Sequence, residues 1–325
     1  MEGFLANSHQ IKLLLELISG DYQIYLPQKQ DGKIVFDLME NVSDIRLFSK
    51  TTLPFKKILF PDGFVKTKYP SNFVRSSHPS GSNNKIALVG LHHCDIAALE
   101  IFYQQFSESN ILPPRSDLLI IGSECKPDDD CFCDVFGADK LGNVDFYLQK
   151  EKDQISIFCY TAKARKCFSM LGIKESAKKY VYRPIKVKDS GIDYESLKEN
   201  IESRSLNHEF WQGIANNCFG CGACTTVCPL CFCFRQDYKN NIDGSESQCL
   251  KWDSCFAKEF SEVQNHYNLR PENVDRLYNW YHHKFVRAEK ELGKPLCVGC
   301  GRCVKACPAH LNIKNILHSL EEQAS

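Results

Sequence analysis

The sequence predicts an α/β N-terminal domain followed by a C-terminal α-helical dicluster ferredoxin domain, with residues 1–205 in the first and 206–325 in the second. Three observations carry this. Short apolar runs rich in Ile, Val, Phe and Tyr recur through the first part, with helical patterns among them, which reads as strands and helices of one α/β unit. From about His208 the pattern changes to helices punctuated by cysteines. Within that region two cysteine runs share one spacing: Cys218, Cys221, Cys224 and Cys228 before Pro229, and Cys297, Cys300, Cys303 and Cys307 before Pro308.

Taken in order, Leu5 to Ile18 places apolar residues at helical spacing and Gly20 is its stop. Strands are predicted at Tyr22–Leu26, Lys33–Leu38, Lys57–Phe60, Lys85–Leu91, Asp117–Ile121, Val144–Leu148 and Ile155–Tyr160. Ser71–Asn84, rich in Ser, Asn and Gly, reads as a loop. Asp95 is placed to cap a helix through Phe106, with Ile96, Leu99, Phe102, Tyr103 and Phe106 on one face. Val274 to Leu292 is a long helical pattern with Leu277, Tyr281, Phe285 and Ala288 on one side, and Gly293 ends it. The two cysteine runs form an imperfect internal repeat, and the gap between Cys228 and Cys297 is longer than in small bacterial ferredoxins.

Composition narrows the function. The chain has 325 residues, 40 Lys+Arg and 40 Asp+Glu, for zero net charge. That balance argues against steering toward nucleic acid or an anionic membrane. No apolar run approaches the roughly 20 residues of a membrane helix. The start, Met1-Glu2-Gly3-Phe4-Leu5, lacks the pattern of a signal peptide, so a cytoplasmic protein is expected. Eighteen cysteines are many for such a chain, and their distribution is uneven: none in 1–93, six from Cys94 to Cys167, twelve from Cys218 to Cys307. Size and tight local spacing argue against an extracellular disulfide scaffold and for metal or redox chemistry.

The motif C-x2-C-x2-C-x3-C-P is the bacterial ferredoxin run, in which three cysteines hold one [4Fe–4S] cluster and the fourth reaches across to the other. The short spacings let one loop deliver three thiolates to neighbouring corners, and the proline turns the fourth away. Cys218, Cys221, Cys224 and Cys307 are therefore assigned to a first cluster, and Cys297, Cys300, Cys303 and Cys228 to a second. Gly220, Gly222, Gly299 and Gly301 permit close backbone approach to the sulfurs. Zinc is the competing reading, but it needs only four ligands and leaves the third cysteine and the Cys-Pro of each run without a role. A haem c attachment site, C-x-x-C-H, is absent. Two clusters imply a carrier of electrons.

Ten cysteines lie outside these runs. Cys94 and Cys125 each follow a predicted strand, with Cys131 and Cys133 in the acidic turn beyond. Ligands gather past the carboxyl ends of strands in open α/β sheets, so these four are assigned to a third [4Fe–4S] cluster, against the alternative of buried structural thiols. Cys231, Cys233 and Cys255 are open between alternative ligands and shields, whereas Cys159, Cys167 and Cys249 read as ordinary thiols. His92 and His93 either donate to a cluster sulfur or serve only the loop, and His282 and His283 read as solvated or core histidines. There is no G-x-G-x-x-G after a strand, no P-loop, no H-E-x-x-H and no nucleophile elbow. No catalytic residue is assigned, and flavin, nicotinamide and substrate are expected on other subunits.

Taken together, these motifs resemble a family of iron–sulfur electron-transfer subunits, those of sulfhydrogenase-type [NiFe] hydrogenases (the β subunit) and of anaerobic sulfite reductase. The resemblance covers most of residues 85–315 and rests on Cys94-Asp95, Glu124-Cys125, Cys131-Phe132-Cys133, the first run continuing through Leu230-Cys231-Phe232-Cys233-Phe234, Trp252-Asp253-Ser254-Cys255, His283-Lys284-Phe285-Val286 and Cys297-Val298-Gly299-Cys300-Gly301-Arg302-Cys303. It implies an electron wire between a flavin-containing, NAD(P)-binding partner and a catalytic subunit bearing sirohaem or a [NiFe] centre. It adds weight to Cys94, Cys125, Cys131 and Cys133 as ligands, and Cys231, Cys233 and Cys255 also match family positions. His92-His93 departs from the Arg-Pro or Arg-Ala of the pattern, Leu230 stands where Thr is usual, and the segment before residue 85 diverges. The alternatives to a wire are an iron–sulfur redox sensor or regulatory binding protein, and a zinc-stabilised binding module.

Overall fold

A computed structural model describes residues 3–40, 45–69, 85–109, 111–170, 180–203, 208–240 and 246–322. Its N-terminal part is built on a seven-stranded sheet. The strands are β1 (Gly3–Ala6), β2 (Tyr22–Gln30), β3 (Lys33–Leu38), β5 (Lys85–Leu91), β6 (Leu118–Ser123), β7 (Phe146–Lys150) and β8 (Ile155–Cys159), ordered β1-β8-β7-β6-β5-β2-β3; β4 (Phe64–Tyr69) belongs elsewhere. The four central strands, β2, β5, β6 and β7, run parallel, and antiparallel strands flank them on both sides.

Side chains alternate across the sheet, as period-two geometry requires. Ala87, Val89, Leu119, Ile121 and Leu148 face α1 (Ser8–Ser19) and α4 (Ala162–Ser169). Ile86, Leu88, Leu118 and Ile120 face α3 (His93–Gln105) through Ile96, Leu99 and Phe102, and that same core takes in Leu230, Val298 and Cys300 from the cysteine runs. The loops of the cysteine runs therefore pack on one face of the N-terminal sheet. Helix α1 starts at a capping box: Asn7 Oδ1 accepts from the Gln10 N–H at 2.9 Å, and Gln10 Oε1 accepts from the Asn7 N–H at 2.9 Å.

Helices supply most of the C-terminal part, as expected: α5 (Tyr194–Ser203), α6 (His208–Ala215), α7 (Ala223–Thr226), α8 (Asn273–His282), α9 (Ala288–Leu292), α10 (Arg302–Ala306) and α11 (Ile313–Glu322). Their core gathers Leu197, Trp211, Leu277, Trp280, Phe285 and Leu317. The gap between the two runs also holds a hairpin, β9 (Phe234–Asn240) and β10 (Glu246–Trp252), that the sequence pattern did not predict. It pairs with β4 in a second sheet ordered β4-β10-β9, and the Trp252 indole donates to the Phe60 carbonyl at 2.7 Å.

Three local expectations are corrected. Lys57–Phe60 is not a strand: Lys56–Leu59 is a short helix, α2, that buries Ile58 and Leu59. A four-residue apolar run has too short a period to separate the two states. Leu5 belongs to β1 and not to the first helix. Asp95 does not cap α3, whose N-cap is His92 without a side-chain bond; Asp95 sits inside the first turn and is spent on an ion pair. The predicted loop Ser71–Asn84 lies outside the described residues.

Candidate iron–sulfur centres

The first cysteine run and the end of the second meet around one cavity. Cys218, Cys221, Cys224, Cys303 and Cys307 line it, with Phe256, Leu277, Trp280 and Tyr281 as apolar walls. Cys218 and Cys221 flank Gly220, whose φ of +62° favours glycine, and the Gly220 N–H donates to Cys218 Sγ at 3.4 Å. The Leu311 N–H donates to Cys307 Sγ at 3.4 Å. Cys221 is exposed, and the neighbouring Phe219 is 71 % exposed. This end of the site reaches the surface.

A second cavity is lined by Cys228, Cys297, Cys300 and Cys303, with Trp280 and Lys284 beside them. Cys303 and Trp280 are common to both cavities. The Leu230 N–H donates to Cys228 Sγ at 3.4 Å and the Gly299 N–H to Cys297 Sγ at 3.5 Å. Gly299 has φ +59°, and a Cβ there would lie 2.2 Å from the Phe132 carbonyl oxygen. Only glycine lets this loop press onto the loop that carries Cys131 and Cys133, and the Phe132 N–H donates back to the Gly299 carbonyl at 2.9 Å.

That second loop completes a third group of thiols. Cys94 lies in the first turn of α3, after β5, and Cys125 follows β6, its parallel neighbour. The charge of Cys125 reaches Cys94, and that of Cys131 reaches both Cys125 and Cys133; Cys300 of the second cavity also acts on Cys94. The Lys50 ammonium bridges the groups, donating to Cys131 Sγ at 3.1 Å and to the Cys300 carbonyl at 3.0 Å, with Asp128 3.1 Å away. Asp128 is partly buried, but the bonds from Lys305 and Cys131 and the charge of Lys50 hold its carboxyl below the usual range. A buried pair ties the same region to the second run: the Arg302 guanidinium meets Asp95 at 2.8 and 2.9 Å and donates to the Thr51 carbonyl at 2.9 Å.

The donor set fits clusters. Burial pushes the thiols of Cys125, Cys133, Cys224 and Cys297 up to about 12, so alone they hold their protons at neutral pH. A soft cation that binds thiolate displaces those protons. Backbone N–H groups already point at Cys218, Cys228, Cys297, Cys307 and Cys131 sulfurs, the arrangement that orients and tunes thiolate ligands.

The other cysteines divide as follows. Cys231, Cys233 and Cys255 line neither cavity: Cys231 has the Lys284 ammonium 4.0 Å from its sulfur, Cys233 is half-buried and Cys255 is buried. Cys159 and Cys249 are buried within strands β8 and β10, and Cys167 is half-buried on α4. Two lysines of the site were not legible in the sequence. Lys284 and Lys56 are both buried, and Lys56 donates to the carbonyls of Cys231 at 2.8 Å and Thr225 at 3.2 Å. A lysine within the helical pattern, or beside the apolar run at 57–60, carries no signal of burial.

Burial also lowers His92, His93 and His283 to about 4. The His93 ring stacks on Tyr147 with centroids 5.4 Å apart. Unfolded histidine titrates near 6.5, so between about 6.5 and 4 the unfolded chain binds more protons than the folded one. Stability is then full above about 6.5 and lost as pH falls through 4. Anaerobic urea unfolding should show the midpoint falling across that window, and His283→Gln should flatten the fall. A midpoint independent of pH between about 7 and 4.5 would contradict the burial of these rings as neutral groups.

Residues 217–311 match the family of 4Fe-4S dicluster domains. The chain is similar to sulfhydrogenase 2 subunit beta of Pyrococcus furiosus, 26% identical over 318 residues, which cover 92% of each chain. The resemblance therefore extends beyond residues 85–315 into the N-terminal segment. No solved structure matches the chain.

Proposed function

We propose that this iron–sulfur protein is the electron-relay subunit of a multisubunit oxidoreductase, taking electrons from a flavin- and NAD(P)-binding partner and passing them to a catalytic subunit. That catalytic partner is of the anaerobic sulfite reductase or [NiFe] sulfhydrogenase type, and the complex is cytoplasmic. Among the described residues no helix is long and apolar enough to cross a membrane. The observation that carries the proposal is continuity: the two cavities share Cys303 and Trp280, and the Lys50 ammonium joins the Cys300 carbonyl of the second to the Cys131 sulfur of the third thiol group.

In this reading Cys218, Cys221, Cys224 and Cys307 hold the first [4Fe–4S] cluster, and Cys297, Cys300, Cys303 and Cys228 the second. Cys94, Cys125, Cys131 and Cys133 hold a third. When bound, such clusters accept and release single electrons. The chain does the rest: Trp280, Tyr281 and Phe256 keep water from the inner sulfurs, and the exposed edge at Phe219 and Cys221 presents the first site to a redox partner. Residues 1–205 and 206–325 act as two domains, with α5 at the end of the first packed into the helical core of the second.

Anaerobic affinity purification from the native cell, with mass spectrometry of the co-purifying chains, tests the relay. A flavoprotein with either a sirohaem or a [NiFe] protein is the expected result. Recovery of the chain alone with its clusters intact would favour the redox sensor. The third site has its own test. Cys125→Ser should lower iron by about four atoms per chain, and iron equal to the wild type would remove that assignment.

A further inference from the structure

The helix that carries His283-Lys284-Phe285-Val286 is not regular. Helix α8 ends at His282, and His283–Arg287 forms a π turn before α9 resumes at Ala288. Lys284, Phe285 and Val286 are all buried. In a regular helix three successive residues spread over about 200°, too wide for one buried stripe. The π turn inserts a residue and widens the turn, as it often does at functional sites, and in doing so delivers a lysine to the cluster side.

Lys284 is 4% exposed. Its ammonium donates to Cys228 Sγ at 3.3 Å and to the Leu296 carbonyl, stands 4.0 Å from Cys231 Sγ, and lies 5.3 Å from the Trp280 ring centroid. Among the described residues no carboxylate forms an ion pair with it. The other cations near the sulfurs are placed differently. Lys50 touches Cys131 but shares its charge with Asp128, Arg302 is matched by Asp95, and Lys56 donates to carbonyls while its ammonium lies 4.2 Å from the Trp252 centroid. Lys284 is thus the buried cation that touches a sulfur of the second cavity with no carboxylate paired to it among the described residues.

We infer that Lys284 poises the reduction potential of the cluster held by Cys228, Cys297, Cys300 and Cys303, raising it above the value those ligands alone would set. The inference rests on the second-cluster assignment made above. A fixed positive charge on a ligand sulfur stabilises the added electron, and the dry interior strengthens that attraction relative to water. Hydrogen bonds to sulfur act in the same direction.

The test compares wild type, Lys284→Met and Lys284→Arg in the full chain under anaerobic conditions. Iron and acid-labile sulfide are measured first, and an EPR-monitored redox titration follows. In Lys284→Met, with iron unchanged, one midpoint should fall enough to lower the reduced-to-oxidised ratio at least tenfold at a fixed potential, about 59 mV for one electron. The other midpoints should hold, and Lys284→Arg should return the shifted one toward wild type. Unmoved midpoints in an iron-replete Lys284→Met protein would overturn the inference, as would Lys284→Arg behaving like Lys284→Met. Loss of the cluster from both variants would overturn it too, because the lysine would then hold the cluster and not poise it. A wild type without iron and sulfide would instead remove the cluster assignment itself.

Discussion

Cys228→Ser should lose one cubane, about four irons per chain, while Cys231→Ser keeps its iron. The two cysteines are close in the chain but stand differently. Cys228 lines the second cavity with Cys297, Cys300 and Cys303. Its sulfur accepts from the Leu230 N–H at 3.4 Å and from the Lys284 ammonium at 3.3 Å. Cys231 does not line that cavity, and the Lys284 ammonium stands 4.0 Å from its sulfur. The position of the Cys228 sulfur in the cavity lining, with two donors aimed at it, selects Cys228 as the ligand. Iron and sulfide analysis of both variants, with EPR of the reduced proteins, checks the prediction. If Cys231→Ser lost the cluster and Cys228→Ser kept it, the ligand set would have to be exchanged.

The largest expected loss of stability is at Arg302. Its guanidinium and Asp95 form a paired contact at 2.8 and 2.9 Å, with side chains 3% and 6% exposed. It joins the second cysteine run to the first turn of α3 and to Thr51. Arg302→Met leaves the Asp95 carboxylate buried without a partner, a change that costs about 3–5 kcal/mol. Removing both charges, as Arg302→Met with Asp95→Leu, should recover most of that loss, because well-packed apolar groups often replace a buried pair at little cost. Urea unfolding of the three proteins under anaerobic conditions measures both effects. A loss below about 1 kcal/mol in Arg302→Met would mean the pair is solvated and holds nothing together.

The cysteine runs were legible because iron ligation imposes a spacing on the chain, and local spacing is what a sequence displays directly. Cys218, Cys221, Cys224 and Cys307 line one cavity together with Cys303, and Cys228 lines the other with Cys297, Cys300 and Cys303. The gathering of Cys94 and Cys125 beyond neighbouring strands was legible from topology, since β5 and β6 are adjacent and parallel. What escaped depends on partners distant in sequence. Asp95 has the residue type and position of a cap, but Arg302, 207 residues away, takes its carboxylate. Lys56 and Lys284 look like surface lysines until the sulfurs and carbonyls that surround them are known. The β9–β10 hairpin is polar and mostly exposed along β9, so it offers no apolar alternation to read, and its place is set by pairing with β4.

The central claim is that this chain carries three cubane clusters, and the direct measurement is iron, zinc and acid-labile sulfide per chain on protein purified without oxygen. The account predicts about twelve irons and about twelve sulfides, with no stoichiometric zinc. About eight of each would restrict it to the two ferredoxin sites, and stoichiometric zinc without sulfide would contradict it altogether.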